Sequence, residues 1–180
     1  MTSLIVDLLL FVAAFAGMEG VAYLTHKYVM HGWLWSLHES HHRPRDGIFE
    51  KNDLFAFYFA LPSILLIWLG VNVNHLMLPI GLGMTAYGLC YFAFHDGIVH
   101  RRLPLRYRGR NPYMKRIIQA HYVHHATTTK EGAVSFGFLY TRPVAELDAE
   151  RRRLERELRQ SQTCATDQAN AAASHAGDPG

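Results

Sequence analysis

The segment LFAFYFALPSILLIWLGVNV, Leu54 to Val73, runs twenty positions without a charged residue. That is about the length an α-helix needs to cross the hydrocarbon core of a bilayer. Leu76 to Phe94 is equally free of charge, and Ser3 to Thr25 is interrupted only by Asp7 and Glu19. A chain of 180 residues has room for one domain built on these stretches. The reading is an all-α integral membrane protein with three spans. A fourth would have to use Pro104 to Tyr140, whose charges oppose crossing. Ala14-Phe15-Ala16 looks like a signal-cleavage site, but Asp7 stands where a signal peptide would carry positive charge, so the first stretch is read as a retained helix.

The cations set the orientation. Lys27, Arg43, Arg45 and Lys51 lie between the first two stretches, and Arg101, Arg102, Arg106, Arg108, Arg110, Lys115 and Arg116 follow the third. Val71 to His75 and the segment before the first helix carry no Lys or Arg. The positive-inside rule therefore puts both basic segments in the cytoplasm. Cations that flank spans, with a net charge of only +3, argue against a nucleic-acid partner. The two cysteines, Cys90 and Cys164, give neither a disulfide framework nor a thiolate metal site. Glu146 to Gln160 is a dense mixed-charge run expected to form a solvated helix with i,i+4 ion pairs, and Ser161 to Gly180 lacks apolar periodicity and is expected to be disordered. The division is thus a membrane-embedded domain over 1–145 and a tail over 146–180.

The chemistry lies in the histidines. The chain reads His26-Lys-Tyr-Val-Met-His31, His38-Glu-Ser-His41-His42, His95-Asp-Gly-Ile-Val-His100 and His121-Tyr-Val-His124-His125. This is HX4H then HX2HH, twice over, and it takes ten of the twelve histidines. His75 and His175 stand apart as incidental. On a helix the three imidazoles of HX2HH fall within about 100° of one another, so one face can serve one ion or two adjacent ions. The i,i+5 pair of HX4H is separated by about 140° on a regular helix. It must straddle a site, address two ions, or sit where the helix is distorted.

The topology brings all four motifs to one membrane surface. A lone histidine there is usually a hydrogen-bonded interfacial residue; ten in a duplicated pattern on one side point to metal ligation. A structural zinc site closes with four ligands, so ten imidazoles suit two metals with positions left open. A bis-histidine haem would need only two axial ligands, and a metal carrier would favour ionisable residues spread across several spans.

These motifs, with Phe49-Glu-Lys-Asn-Asp53-Leu54 and the stretch KEGAVSFGFLY from Lys130 to Tyr140, resemble the fatty-acid hydroxylase and sterol desaturase superfamily of histidine-box membrane enzymes, and within it the bacterial β-carotene 3-hydroxylases. The resemblance implies that the ten histidines hold two iron ions and that O2 is the cosubstrate. It also implies hydroxylation of carotenoid β-ionone rings at C3, from β-carotene through β-cryptoxanthin to zeaxanthin. Fatty acyl or sterol hydroxylation or desaturation, and carotenoid ketolation, are the alternatives within the same class. No cysteine set or nucleotide fingerprint provides electrons, so ferredoxin and its reductase are the expected source, docking on the Arg101 to Arg116 patch. A chain opening directly on its apolar helix suits a bacterial inner membrane, with the active site on the cytoplasmic side.

Metal-bound imidazoles usually donate their second N–H to a carboxylate or carbonyl. Glu39, Asp46, Asp53 and Asp96 lie within or beside the motifs, and Asp96, between two ligands, is the best placed. Glu19 is a further catalytic candidate because a carboxylate inside a span is costly. Gly81, Gly83 and Gly88 are expected at close helix contacts. Trp33, Trp35, Tyr91 and Phe94 are expected near the catalytic surface.

Overall fold

The computed structural model describes residues 2–44, 47, 49–103, 107 and 109–176, and among these there is no strand. The helices are α1 (Thr2–Leu24), a short α2 (Trp35–His38), α3 (Leu54–Asn72), α4 (Met77–Tyr91), α5 (Pro112–His125) and α6 (Val144–Ala176). With their flanking turns, three are long and apolar enough to cross a membrane: Ser3–Trp33, Lys51–Asn72 and Met77–Val99. Only 6% of the most apolar window of the first is buried by protein, so its leucines and valines are left for lipid to cover. Among the described residues, the region that might have held a fourth span contributes only α5, 14 residues long and carrying Lys115, Arg116 and three ligand candidates. The cations Arg45, Arg106 and Arg108 and the carboxylate Asp46 lie outside the described residues.

Small residues set how closely the spans approach. A Cβ on Gly83 would stand 2.4 Å from the Phe11 carbonyl oxygen, and one on Gly70 would stand 2.4 Å from the Leu78 nitrogen. On Gly81 it would meet Ser63 O at 2.9 Å. Gly88, expected at such a contact, faces open space, and Gly70 takes a place that the sequence reading left unassigned. Ser63 Oγ donates to Gly81 O (2.9 Å) and lies 2.6 Å from Thr85 Oγ1, a polar tie between α3 and α4. Phe11 meets Gly83 and Glu19 meets Tyr87, so α1 and α4 run parallel, whereas α3 runs back along α4 from a turn over 73–76.

Parallel α1 and α4 deliver their C-terminal ends to the same side. Both continue as wide turns with i→i+5 geometry, over Thr25–Trp33 and Phe92–Val99. There they meet α2, the tight turn Glu39–His42, and α5, whose start is fixed by Pro112 and by Asn111 Oδ1 accepting Met114 N (2.8 Å). His75 sits exposed in the turn at the opposite end.

The tail departs from its composition. Leu147 is 1% exposed and packs with Ala120 and Val134, flanked by Val123 and Leu154, so the start of α6 is docked on α5 and not solvated all round. Ion pairs such as Arg152–Asp148 and Arg159–Glu155 cover its outer face. The helix runs on to Ala176, past the Ser161 where disorder was expected. Alanine and glutamine there favour helix, and the hydroxyls of Ser161, Thr163 and Thr166 bond back to carbonyls four residues earlier.

Gly83→Val forces α1 away from α4 and is expected to destabilise the protein by about 1–3 kcal/mol, whereas Gly88→Ala stays within about 0.5 kcal/mol. Unfolding of the two variants in detergent, monitored by circular dichroism, checks the contrast.

Candidate metal centre

The distorted turns resolve the i,i+5 spacing. His100 N donates to His95 O at 2.9 Å, the i→i+5 bond of a π-turn, and this closure brings residues five apart onto one side of the helix. His26 and His31 likewise lie in the wide turn after α1 and face the same cluster. Each HX4H pair therefore lies within a single cluster of histidines, in a distorted helix, and does not straddle two.

The ten histidines form two groups of five. His26, His31, His38, His42 and His124 make the first, and His41, His95, His100, His121 and His125 the second; within each, one ligand atom per residue lies within 4.8 Å of all the others. The partition follows one rule. Each group takes one HX4H pair, the i,i+4 pair of the HX2HH that follows it, and the middle histidine of the other HX2HH. His41 and His124 thus cross over, and neither half of the chain can complete its own group. The groups adjoin, with the rings of His42 and His125 stacked at 4.4 Å.

Hydrogen bonding explains why a cation fits. In the first group every Nδ1 faces an oxygen. His26 meets Phe136 O (3.2 Å), His31 Lys130 O (3.1 Å), His42 Thr127 O (2.7 Å), His124 Val134 O (2.9 Å) and His38 Asn52 Oδ1 (2.7 Å). A carbonyl oxygen only accepts, so each Nδ1 carries the proton and each neutral ring turns an unprotonated Nε2 inward. Those Nε2 atoms converge: His26 and His38 at 3.1 Å, His31 and His42 at 3.1 Å, His42 and His38 at 3.2 Å, His31 and His124 at 3.3 Å. Facing lone pairs repel unless a cation lies between them, and an all-imidazole set suits iron, zinc or copper. In the second group Nε2 atoms also converge, His41 and His95 at 3.2 Å and His100 and His121 at 3.0 Å. The buried His125 Nε2 has no protein partner among the described residues.

Four of these oxygens come from the segment after α5, and Glu19 pins that segment. Its Oε1 accepts from the backbone N–H of Phe138 (2.8 Å), Leu139 (2.9 Å) and Tyr140 (3.1 Å), and its Oε2 from the Tyr87 hydroxyl (2.8 Å). None of its hydrogen bonds goes to a ligand ring, so Glu19 reaches the centre only through the loop. Asp96 Oδ2 lies 3.3 Å from His95 Nδ1. Asp53 caps the turn before α3 through Glu50 N (2.9 Å), and Glu39 pairs with Arg43 at the surface; neither touches a ligand. Trp35 packs on His31, His38 and His42, and Tyr91 stacks on His95 at 4.6 Å. Phe94 belongs to a neighbouring apolar cluster, and Trp33 is exposed.

Sequence reasoning missed Glu50, Asn52 and Arg102. Glu50 Oε2 lies 3.1 Å from His41 Nδ1. Arg102, read as part of a basic surface patch, is instead half-buried between Asp53 (2.7 Å), Glu50 (3.1 Å) and Asp96 (3.3 Å). The stretch from Phe49 to Leu54 drew attention only as part of a resemblance, because nothing in it is a ligand.

Burial keeps the rings outside the spans neutral. It is the largest cause that pushes His38 down to about 2, His100 to about 3 and His42 to about 4, with neighbouring imidazoles adding to the last two. His41, His121 and His124 are lowered well below 6.5 for the same reason. An unfolded histidine takes its proton near 6.5 while these refuse it, so their contribution to stability is whole above that pH and is lost as the pH falls through the lower values. The metal-free protein is therefore expected to show a level melting temperature above pH 6.5 and a progressive fall from there toward about pH 4. A melting temperature that stays level over that interval would contradict the burial of these rings.

Residues 11–142 match the fatty acid hydroxylase family. The chain is 58% identical over 133 residues, 74% of its length and 76% of the relative's, to a β-carotene hydroxylase of Pantoea ananas. It is 50% identical over 146 residues, 81% of its length and 83% of the relative's, to that of Pseudescherichia vulneris. A chloroplastic β-carotene 3-hydroxylase 2 of Arabidopsis thaliana is 40% identical over 153 residues, 82% of this chain and 49% of the relative. No solved structure matches it. The matched residues run from α1 to the loop pinned by Glu19 and include all ten clustered histidines, and this chain belongs to the fatty acid hydroxylase family.

Proposed function

We propose that this membrane enzyme hydroxylates carotenoid β-ionone rings at C3, using O2 and two iron ions held by the ten clustered histidines. The observation that carries the reading is the convergence of two sets of five imidazoles, in a chain whose bacterial and plant relatives are named β-carotene hydroxylases. Bound iron would supply O2 activation and insertion of oxygen into a ring C–H bond, chemistry that no side chain here provides.

The chain's own residues hold the ligands and shield them. The carbonyls of Thr127, Lys130, Val134 and Phe136 fix the tautomer and angle of four rings. Trp35 and Phe136 close off the first group, all five of whose ligands are buried. In the second group His100, His121 and His125 are only half-buried, so this is the side from which a substrate approaches. The three lipid-facing helices hold the centre at one end of the bundle, where a ring dissolved in the bilayer can reach it.

Electrons come from outside, since the two cysteines, Cys90 and Cys164, cannot ligate an iron–sulfur cluster. A ferredoxin served by its reductase fits, docking by charge on the exposed Arg101, Arg110 and Lys115. These cations and the metal end share one side of the bundle, assigned to the cytoplasm of a bacterial inner membrane by the positive-inside rule.

Expression in bacteria that accumulate β-carotene tests the assignment. β-Cryptoxanthin and zeaxanthin are expected, and His41→Ala or His124→Ala, each removing one crossed-over ligand, should lower their yield more than about 100-fold, beyond the usual effect of losing an outer partner. Unchanged β-carotene alongside folded, iron-loaded protein would refute the substrate.

A further inference from the structure

The ligand pattern is duplicated, but what stands behind the ligands is not. We infer that the two metal sites are electronically unequal, and that Glu50 and Asp96 are positioning residues that make the group of His41, His95, His100, His121 and His125 the stronger donor. This inference rests on the reading that both groups hold metal.

In the first group all five Nδ1 atoms face neutral oxygens, four backbone carbonyls and the Asn52 amide. In the second, His41 Nδ1 faces the Glu50 carboxylate at 3.1 Å and His95 Nδ1 faces the Asp96 carboxylate at 3.3 Å. A ring N–H shared with a carboxylate leaves more electron density on the opposite nitrogen than one donated to an amide, and so raises ligand basicity. The carboxylates are well shielded, with side chains 9% and 14% exposed, so water does little to damp their charge.

Arg102 keeps these anions in place without cancelling them. Its guanidinium lies at salt-bridge distance from Glu50, Asp53 and Asp96, so three carboxylates share one cation and the group stays anionic. The backbone N–H of Arg102 also donates to Asp96 O at 2.8 Å, which fixes the side chain's origin beside the π-turn. Glu50 precedes α3 and Asp96 follows α4, so the arrangement is assembled from two separate elements and is not an accident of one turn.

The test uses Mössbauer spectroscopy of the reduced full-length protein loaded with 57Fe in detergent, together with the rate of iron loss to a chelator. Two quadrupole doublets of equal area are expected. Glu50→Gln keeps a hydrogen-bond acceptor but removes the charge, so it should move one doublet only and release one of the two irons about 10-fold faster or more. Asp96→Asn, on the other element, should move the same doublet. Asn52→Asp, which gives His38 a carboxylate, should move the other. Doublets that move together in Glu50→Gln, that move oppositely in Glu50→Gln and Asp96→Asn, or that do not move at all in either would overturn the inference while leaving the two-metal reading intact. Fewer than two irons per chain in the unaltered protein would overturn that reading itself, and the inference with it. Should one variant fail to fold, the other reads the same doublet.

Discussion

Ten imidazoles that converge as two groups of five at one end of the helix bundle are the constraint on which the rest of the structure depends. Left alone, the first group is repulsive, since its facing Nε2 atoms stand 3.1 to 3.3 Å apart with lone pairs and no proton to share. Each ring of that group is fixed from behind, by backbone carbonyls and one amide. Those carbonyls belong to a segment with no regular structure, which must itself be held. Glu19 does this from inside the first span by accepting three successive backbone N–H groups. The expense of a carboxylate at membrane depth is offset by four hydrogen bonds.

The membrane setting and the histidine clusters reinforce each other. Close packing at Gly70, Gly81 and Gly83 keeps three helices together with little buried apolar surface, and the parallel course of α1 and α4 delivers both i,i+5 pairs to one end. Because His41 and His124 cross between the groups, both halves of the chain contribute to each histidine group. A duplicated motif has become an interdependent pair of histidine groups.

Much of this was legible in the sequence. The three spans follow from uncharged stretches of bilayer length, and the ten ligand candidates from a spacing too regular for incidental histidines. Even the need for a distorted helix at His26–His31 and His95–His100 follows from the angle between residues five apart. The partition did not, because spacing shows only that an HX2HH face can serve two ions. Which of its three rings turns to which group depends on how the helix rotates against its neighbour. Glu50, Asn52 and Arg102 were invisible for a different reason: they act on ligands through space, and Arg102 sits in a basic run where its neighbour Arg101 is exposed. Backbone carbonyls have no sequence signature at all. The docking of α6 escaped because its single fully buried leucine, Leu147, is surrounded in sequence by charge.

The central claim is that the protein builds two all-imidazole metal sites and not one site with spare histidines. X-ray absorption at the iron edge tests it most directly. The account predicts a light-atom shell with the multiple scattering of imidazole rings, averaging about five such nitrogens per iron. A sulfur shell, or an average of fewer than about three imidazoles per iron, would contradict it.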